Sequence, residues 1–215
     1  MQQYLSLKDH VYNYISDKIR EGSLKPDEKI NEKIIMDDLG ISRTPVREAL
    51  IQLATEGYLE NIPRKGFIVK PVDTNKSKEI YALLGALDAF ASELAFEHIT
   101  KQDIIRMEAL SKQMVVAVDT YDFKAYYKLQ TDFHDVYISK CHNEELINTM
   151  NLLRKKFIRQ TYNDDDLEKM KEILYHTNEE HIEIAKLFKE DTYENVSKFL
   201  KYSHWNLSYA EYDAV

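Results

Sequence analysis

Residues 40–50 read GISRTPVREAL. Ser42 is of the type that caps a helix, and Pro45 falls in the first turn that would follow it. Proline is tolerated there because first-turn N–H groups have no intrahelical acceptor. The proline therefore marks a helix start. Val46, Ala49, Leu50 and Leu53 recur at i, i+3, i+4 and i+7, so one face is expected to be buried as far as about Glu56, where Gly57 stops the helix. Arg43 and Arg47 stand four apart and share a different face, with Thr44 beside them. Arginines at the start of a short helix suit nucleic-acid reading. A guanidinium bonds guanine O6 and N7 with a two-pronged fork, and recognition helices present their N-terminal residues to base edges. The amide N–H groups and positive dipole end of such a helix favour phosphate.

Upstream, Val11, Ile15 and Ile19 form one helical stripe with Tyr12 beside them, and Gly22 is a stop signal. Asn31 is a plausible cap for a short helix through Leu39, ended by Gly40. Downstream, YLENI and GFIVK bracket Pro63-Arg64-Lys65-Gly66, which predicts a small β-hairpin with a basic tip. Three helices and a hairpin within about 70 residues make a helix-turn-helix with a wing.

After PVDTN (71–75) the pattern changes. Helical periodicity runs through Ile80 to Leu94, Ile104 to Val118, Phe123 to Cys141, Leu146 to Tyr162, Leu167 to Phe188, and Tyr193 to about Tyr209. The expected fold is mainly α: a winged helix-turn-helix over 1–72, then an all-α antiparallel bundle of six or seven helices over 73–215. The acidic stretch NDDDLEKMKE (163–172) reads as a solvated helix start. Tyrosines such as Tyr126, Tyr127, Tyr202 and Tyr209 read as half-buried helix residues.

Of the 215 residues, 44% are hydrophobic, enough for one large domain or two modest ones. The net charge of −8 is unevenly placed: residues 1–72 hold 11 Lys and Arg against 11 Asp and Glu, whereas 73–215 hold 18 against 26. The first part is neutral and has room for a local basic face. One cysteine, Cys141, allows no internal disulfide and has no neighbouring motif. No apolar stretch is long enough for a bilayer, and the N-terminus lacks a signal pattern, so a cytoplasmic protein is expected. Neither a Gly-rich phosphate loop nor a Ser/His/Asp arrangement is present.

Three of seven histidines share a setting. His134 in LQTDFHDVY, His181 in NEEHIEIAKLF and His204 in KYSHWNL each fall inside an expected helix beside core-facing residues. Imidazoles from neighbouring helices of a bundle can hold Zn²⁺ or a similar ion. A lone histidine in a helix is more often a packed or surface residue, and the spacing alone leaves both readings open.

The stretch LGISRTPVREALIQLATEGYLENIPRKGFIV (39–69) resembles the winged helix-turn-helix of the GntR family of bacterial transcription regulators. The resemblance spans about residues 8–70. It implies DNA contacts at Ser42, Arg43, Thr44 and Arg47, and at the wing residues Arg64, Lys65 and Gly66. It also implies a contact at Lys33, where the family usually has arginine; lysine suits a phosphate better than a base. A symmetric homodimer on a short palindrome of double-stranded operator DNA is implied as well.

The C-terminal part resembles the FadR-type (FCD) effector-binding domain, through Phe133-His134, Glu180-His181, Asp191 and His204. That resemblance implies a divalent metal, zinc foremost, on His134, His181 and His204, beneath a small carboxylate-type effector. Gln130 stands where the group has Asp or Asn, and Leu84 where it often has a ligand-facing arginine. Two readings follow. One is a regulator, not an enzyme, whose operator affinity answers to a small metabolite. The other is a metal-dependent hydrolase with an accessory winged helix.

Overall fold

The computed structural model describes residues 5–20, 22–71, 73–154 and 167–211. The chain forms two compact units and passes from the first to the second between Ser77 and Lys78.

The first unit holds helices α1 (Leu7–Arg20), α2 (Glu32–Leu39) and α3 (Arg43–Thr55) and an antiparallel hairpin, β1 (Leu59–Ile62) with β2 (Gly66–Val69). Leu59 pairs with Val69 and Ile62 with Gly66. The α1 stripe of Val11, Ile15 and Ile19 is buried with Val46, Ala49, Leu50 and Leu53 of α3, and Phe67 and Val69 of the hairpin close the core. The caps set where the helices begin and end. The Asn31 side chain accepts from the amides of Lys33 and Ile34, and Gly40 ends α2 at φ 63°, a left-handed conformation that favours glycine. Ser42 has the extended backbone of a cap residue, but its side chain makes no capping bond; the α3 start rests on backbone geometry with Pro45 in the first turn. Residues 27–30 run along β2: Ile30 N–H donates to Phe67 O and Val69 N–H to Glu28 O, both at 2.9 Å. This pairing satisfies the outer edge of the wing and brings Lys29 opposite Ile68.

The second unit continues α4 (Thr74–Ala95), whose first turn is capped by Asp73. It then adds α5 (Lys101–Asp119), α6 (Phe123–Ile138), α7 (Glu144–Arg154), α8 (Leu167–Glu190) and α9 (Tyr193–Phe199). Thr100 and Asp103 form a reciprocal capping box at the start of α5. Helix α5 packs against α6 and α8, around a core that includes Met107, Met114, Phe133, Tyr137, Ile184 and Leu200.

Several expected boundaries move. Helix α6 ends at Ile138, not Cys141, in a turn that carries His142 at φ 51°. Helix α7 begins at Glu144; residues 155–162 of its expected span, and 163–166 of the acidic stretch, lie outside the described residues. The expected helix from Tyr193 to Tyr209 is not continuous. It widens to a π-turn at Leu200–His204, where Trp205 N–H bonds Leu200 O at 3.0 Å, and resumes as a 3₁₀ turn at Leu207–Glu211. Periodicity does not register one extra residue in a turn. The tyrosines also diverge: Tyr126 is fully buried, its hydroxyl donating to Leu174 O at 3.1 Å, whereas Tyr202 is exposed. Among the described residues, no helix is long and apolar enough to cross a membrane.

Candidate nucleic-acid interface and candidate metal centre

An open groove in the first unit is lined by six cations: Lys29, Lys33, Arg43, Arg47, Arg64 and Lys65. They come from the strand-like segment before α2, from α2, from the start of α3 and from the hairpin tip. Gly66, at φ 93°, also lines it and passes close to Lys29: a Cβ there would stand 3.8 Å from the Lys29 Cε. Ser42 and Thr44 are exposed at the start of α3 but do not line the groove. The sequence reading missed three charged members, Lys29, Glu32 and Asp37. Lys29 has no local signal, because only pairing with β2 carries it there. Glu32, the first residue of α2, pairs with Arg43 Nε at 3.0 Å and Arg47 Nε at 3.5 Å. The acid beside the arginines in sequence is Glu48, but the partner comes from another helix.

In the second unit His134 of α6, His181 of α8 and His204 of the π-turn are buried together, with one ligand atom of each within 4.8 Å of the others. His204 is the last residue of its turn, not mid-helix as expected. Their outer contacts set the direction of two rings. His134 Nδ1 lies 2.6 Å from the Tyr137 hydroxyl and 3.2 Å from Asp88. That hydroxyl donates its single proton to Asp88 at 2.7 Å, so Nδ1 of His134 must be the donor and Nε2 carries the lone pair. His204 Nδ1 donates to Glu180 at 2.9 Å, with the same consequence. The two Nε2 atoms face each other at 3.1 Å. Two lone pairs at that separation repel unless a cation lies between them. Two nitrogens bound tetrahedrally at ~2.0–2.1 Å from zinc would themselves stand about 3.3 Å apart. The donor set thus fits a metal ion, and the carboxylate behind each of these two rings is the usual means of orienting a ligating histidine.

Asp88 is the residue that sequence reasoning missed most plainly. It is fully buried, and it also accepts from Trp205 Nε1 at 2.7 Å. Burial opposes its charge, but His134, Arg154 and Trp205 hold its carboxyl below the ordinary range. Leu84, Asp88 and Ala91 lie on one buried stripe of α4, and an acid on such a stripe must have partners. That signal was present in the sequence. Gly85 makes the arrangement possible: a Cβ there would meet the Trp205 Cβ at 2.9 Å, so a larger residue would push Trp205 away from Asp88.

Gln130 is half-buried one turn before His134. Asp191 is exposed and precedes Thr192, the cap residue of α9; it accepts from Thr192 N and Asn195 Nδ2, both at 2.8 Å. Leu84 is fully buried and packs in the core. Arg154 was also missed. Its Nη1 bonds Asp135 at 2.9 Å, while its Nη2 is buried with no hydrogen-bond partner among the described residues.

Burial lowers His134 from 6.5 to about 4, against the opposing pull of Asp88. The unfolded chain therefore takes up this proton first as pH falls. Metal-free protein should keep this contribution above pH ~6.5 and lose about 3 kcal/mol of it as pH drops to ~4. Urea unfolding of chelator-treated protein at pH 7 and pH 5 reads the slope; a His134→Gln variant should show a shallower one, and an equal slope would reject the assignment.

Comparison with known proteins agrees with both units. Residues 7–69 match the family described as "Bacterial regulatory proteins, gntR family", and residues 79–202 match the FCD domain. The Nta operon transcriptional regulator of Aminobacter aminovorans is 30% identical over 172 residues, covering 78% of each chain. The HTH-type transcriptional regulator McbR of Escherichia coli is 31% identical over 122 residues, 57% of this chain and 55% of McbR. The solved structure "E. coli McbR/YncC" shares the fold at TM-score 0.75 and 22% identity, covering 97% of this chain and 98% of that one. The matched family and these relatives are transcription regulators, not enzymes, so the hydrolase alternative falls. The chain belongs to the GntR family of bacterial transcription regulators, with an FCD domain following the DNA-binding domain.

Proposed function

We propose that residues 1–72 read an operator half-site and that residues 73–215 dimerise and bind a small effector that alters operator affinity. The observation that carries this reading is the groove with six cations, four of them at the start of α3 and the hairpin tip, within residues 1–72, whose net charge is zero. Arg43 and Arg47 take base edges, with Thr44 and Ser42 at the helix start. Arg64, Lys65 and Gly66 follow the backbone or minor groove, and Lys33 takes a phosphate. A symmetric homodimer would place two such heads on a short palindrome.

In the second unit His134, His181 and His204 are proposed to hold Zn²⁺, which suits three neutral imidazoles. Gln130 offers only an uncharged amide oxygen, which disfavours harder, oxygen-seeking ions. The bound ion would supply a positive centre with an open position for an effector oxygen. Arg154, whose Nη2 is buried with no hydrogen-bond partner among the described residues, supports an anionic effector such as a carboxylate. Its charge reaches His134 and Asp88. An effector that favours one arrangement of the heads shifts DNA affinity by its preference for that arrangement.

Selection from random duplex DNA with the full-length protein tests the reading. A palindromic sequence should be enriched, and its complex should survive random competitor while weakening with salt. No enrichment over the input library would overturn DNA recognition.

A further inference from the structure

Two acids line the groove, Asp37 and Glu32, and Glu32 stands where an acid is least expected. Glu32 lies between two arginines of α3, and all three line the cleft with the four lysine and arginine side chains around them. A carboxylate in a phosphate-binding cleft weakens attraction to DNA, so its presence calls for another role. Its surroundings fix it well. It is the first residue of α2, where the helix dipole favours a negative charge. Its side chain is only 19% exposed, against 65% and 54% for Arg43 and Arg47. An isolated surface ion pair would deserve little weight, but this carboxylate gives one oxygen to each arginine: Oε2 to Arg43 and Oε1 to Arg47. Both contacts are made through Nε. The two Nη groups of each guanidinium, which form the end-on fork for guanine O6 and N7, are left available.

We propose that Glu32 is a positioning residue for sequence recognition: it anchors Arg43 and Arg47 by their Nε atoms, so that both forks are presented in fixed orientation, and its charge restrains binding to DNA of the wrong sequence. The proposal rests on the reading that Arg43 and Arg47 contact base edges. Long arginine side chains lose rotamer freedom when they bind, and anchoring them beforehand removes part of that cost. The anchor raises discrimination even as it lowers total attraction, since phosphate contacts carry no sequence information. Glu32→Gln keeps the shape and removes the charge, so it separates these two effects.

The test uses the duplex selected by wild-type full-length protein, with a scrambled duplex of equal composition, over a salt series. Glu32→Gln should bind the scrambled duplex more tightly, with a salt slope steeper by up to about one. The ratio of selected to scrambled affinity should fall roughly tenfold, within the range of one bidentate contact. Glu32→Asp, which keeps the charge on a shorter arm, should recover part of the ratio. A new selection with Glu32→Gln should lose preference at the base positions that Arg43→Ala and Arg47→Ala also lose, and Glu32→Gln should add little in an Arg43→Ala/Arg47→Ala background. An unchanged ratio, or an effect fully additive with the arginine changes, overturns the proposal. Loss confined to one cytosine would instead make Glu32 a direct base reader and also overturn it. Thermal melting of each variant checks that α2 is intact. If wild type selects no sequence, DNA recognition itself fails; if it selects one that Glu32→Gln binds with equal discrimination, only the role of Glu32 fails.

Discussion

Arg43→Ala/Arg47→Ala is expected to abolish discrete complexes with a selected operator while leaving the protein folded. Each bidentate base contact is worth about 1–3 kcal/mol of discrimination, so losing two costs at least about thirtyfold in the selected-to-scrambled ratio. The two contributions will not simply add, because both side chains share Glu32. Removing both arginines also leaves Glu32 unopposed in a cleft that faces phosphate, which deepens the loss. The thermal midpoint should change little, since both side chains are mostly exposed and the buried face of α3 is untouched. Fluorescence anisotropy with selected and scrambled duplexes measures both constants. A double variant that keeps the wild-type ratio would remove these arginines from base reading and leave the wing or Lys33 to explain any specificity.

His181→Ala is expected to release the metal and to lower stability in two separable steps. The ring is fully buried, 4.8 Å centre to centre from Phe133 and 4.9 Å from His204. Its loss leaves a cavity, costing about 2–5 kcal/mol on the scale of other large-to-small core changes. That part persists in a chelator. The second part is the metal's own stabilisation, which for wild type is about 4 kcal/mol when free metal exceeds its dissociation constant a thousandfold. Wild type should therefore gain stability on adding zinc to stripped protein, and His181→Ala should gain almost none. Metal content per chain, measured after dialysis, should fall to near zero in the variant. Content equal to wild type would exclude His181 as a ligand. A drop in stability without a drop in metal would identify a packing residue only.

These two sites differ in how far sequence anticipates them. The start, the buried face and the paired arginines of the recognition helix are local. The cap position, the proline in the first turn, the apolar stripe and the paired arginines all lie within a dozen residues, and backbone sterics with helical periodicity determine each. The hairpin is local for the same reason. The histidine centre is assembled across 70 residues, from His134 to His204. Its outer partner Asp88 stands 117 residues from Trp205. Spacing along the chain carries no information at such range: a shared setting inside helices picked out the three histidines, and the family resemblance implied that they form one ligand set.

The sequence alone determined the two-part organisation, the helices and hairpin of the first unit, and the buried faces of α1 and α3. Those follow from propensities and periodicities acting over a few turns. Only the tertiary structure decided the rest. It carried Lys29 into the groove by pairing with β2, paired Glu32 with arginines of another helix, and made one π-turn where periodicity allowed a plain α-helix. It also used the missing side chain of Gly85 to let Trp205 reach Asp88. Each of these depends on which surfaces meet, and burial then imposes what the chain could not announce: a buried acid must find donors, and two facing imidazole lone pairs call for a cation.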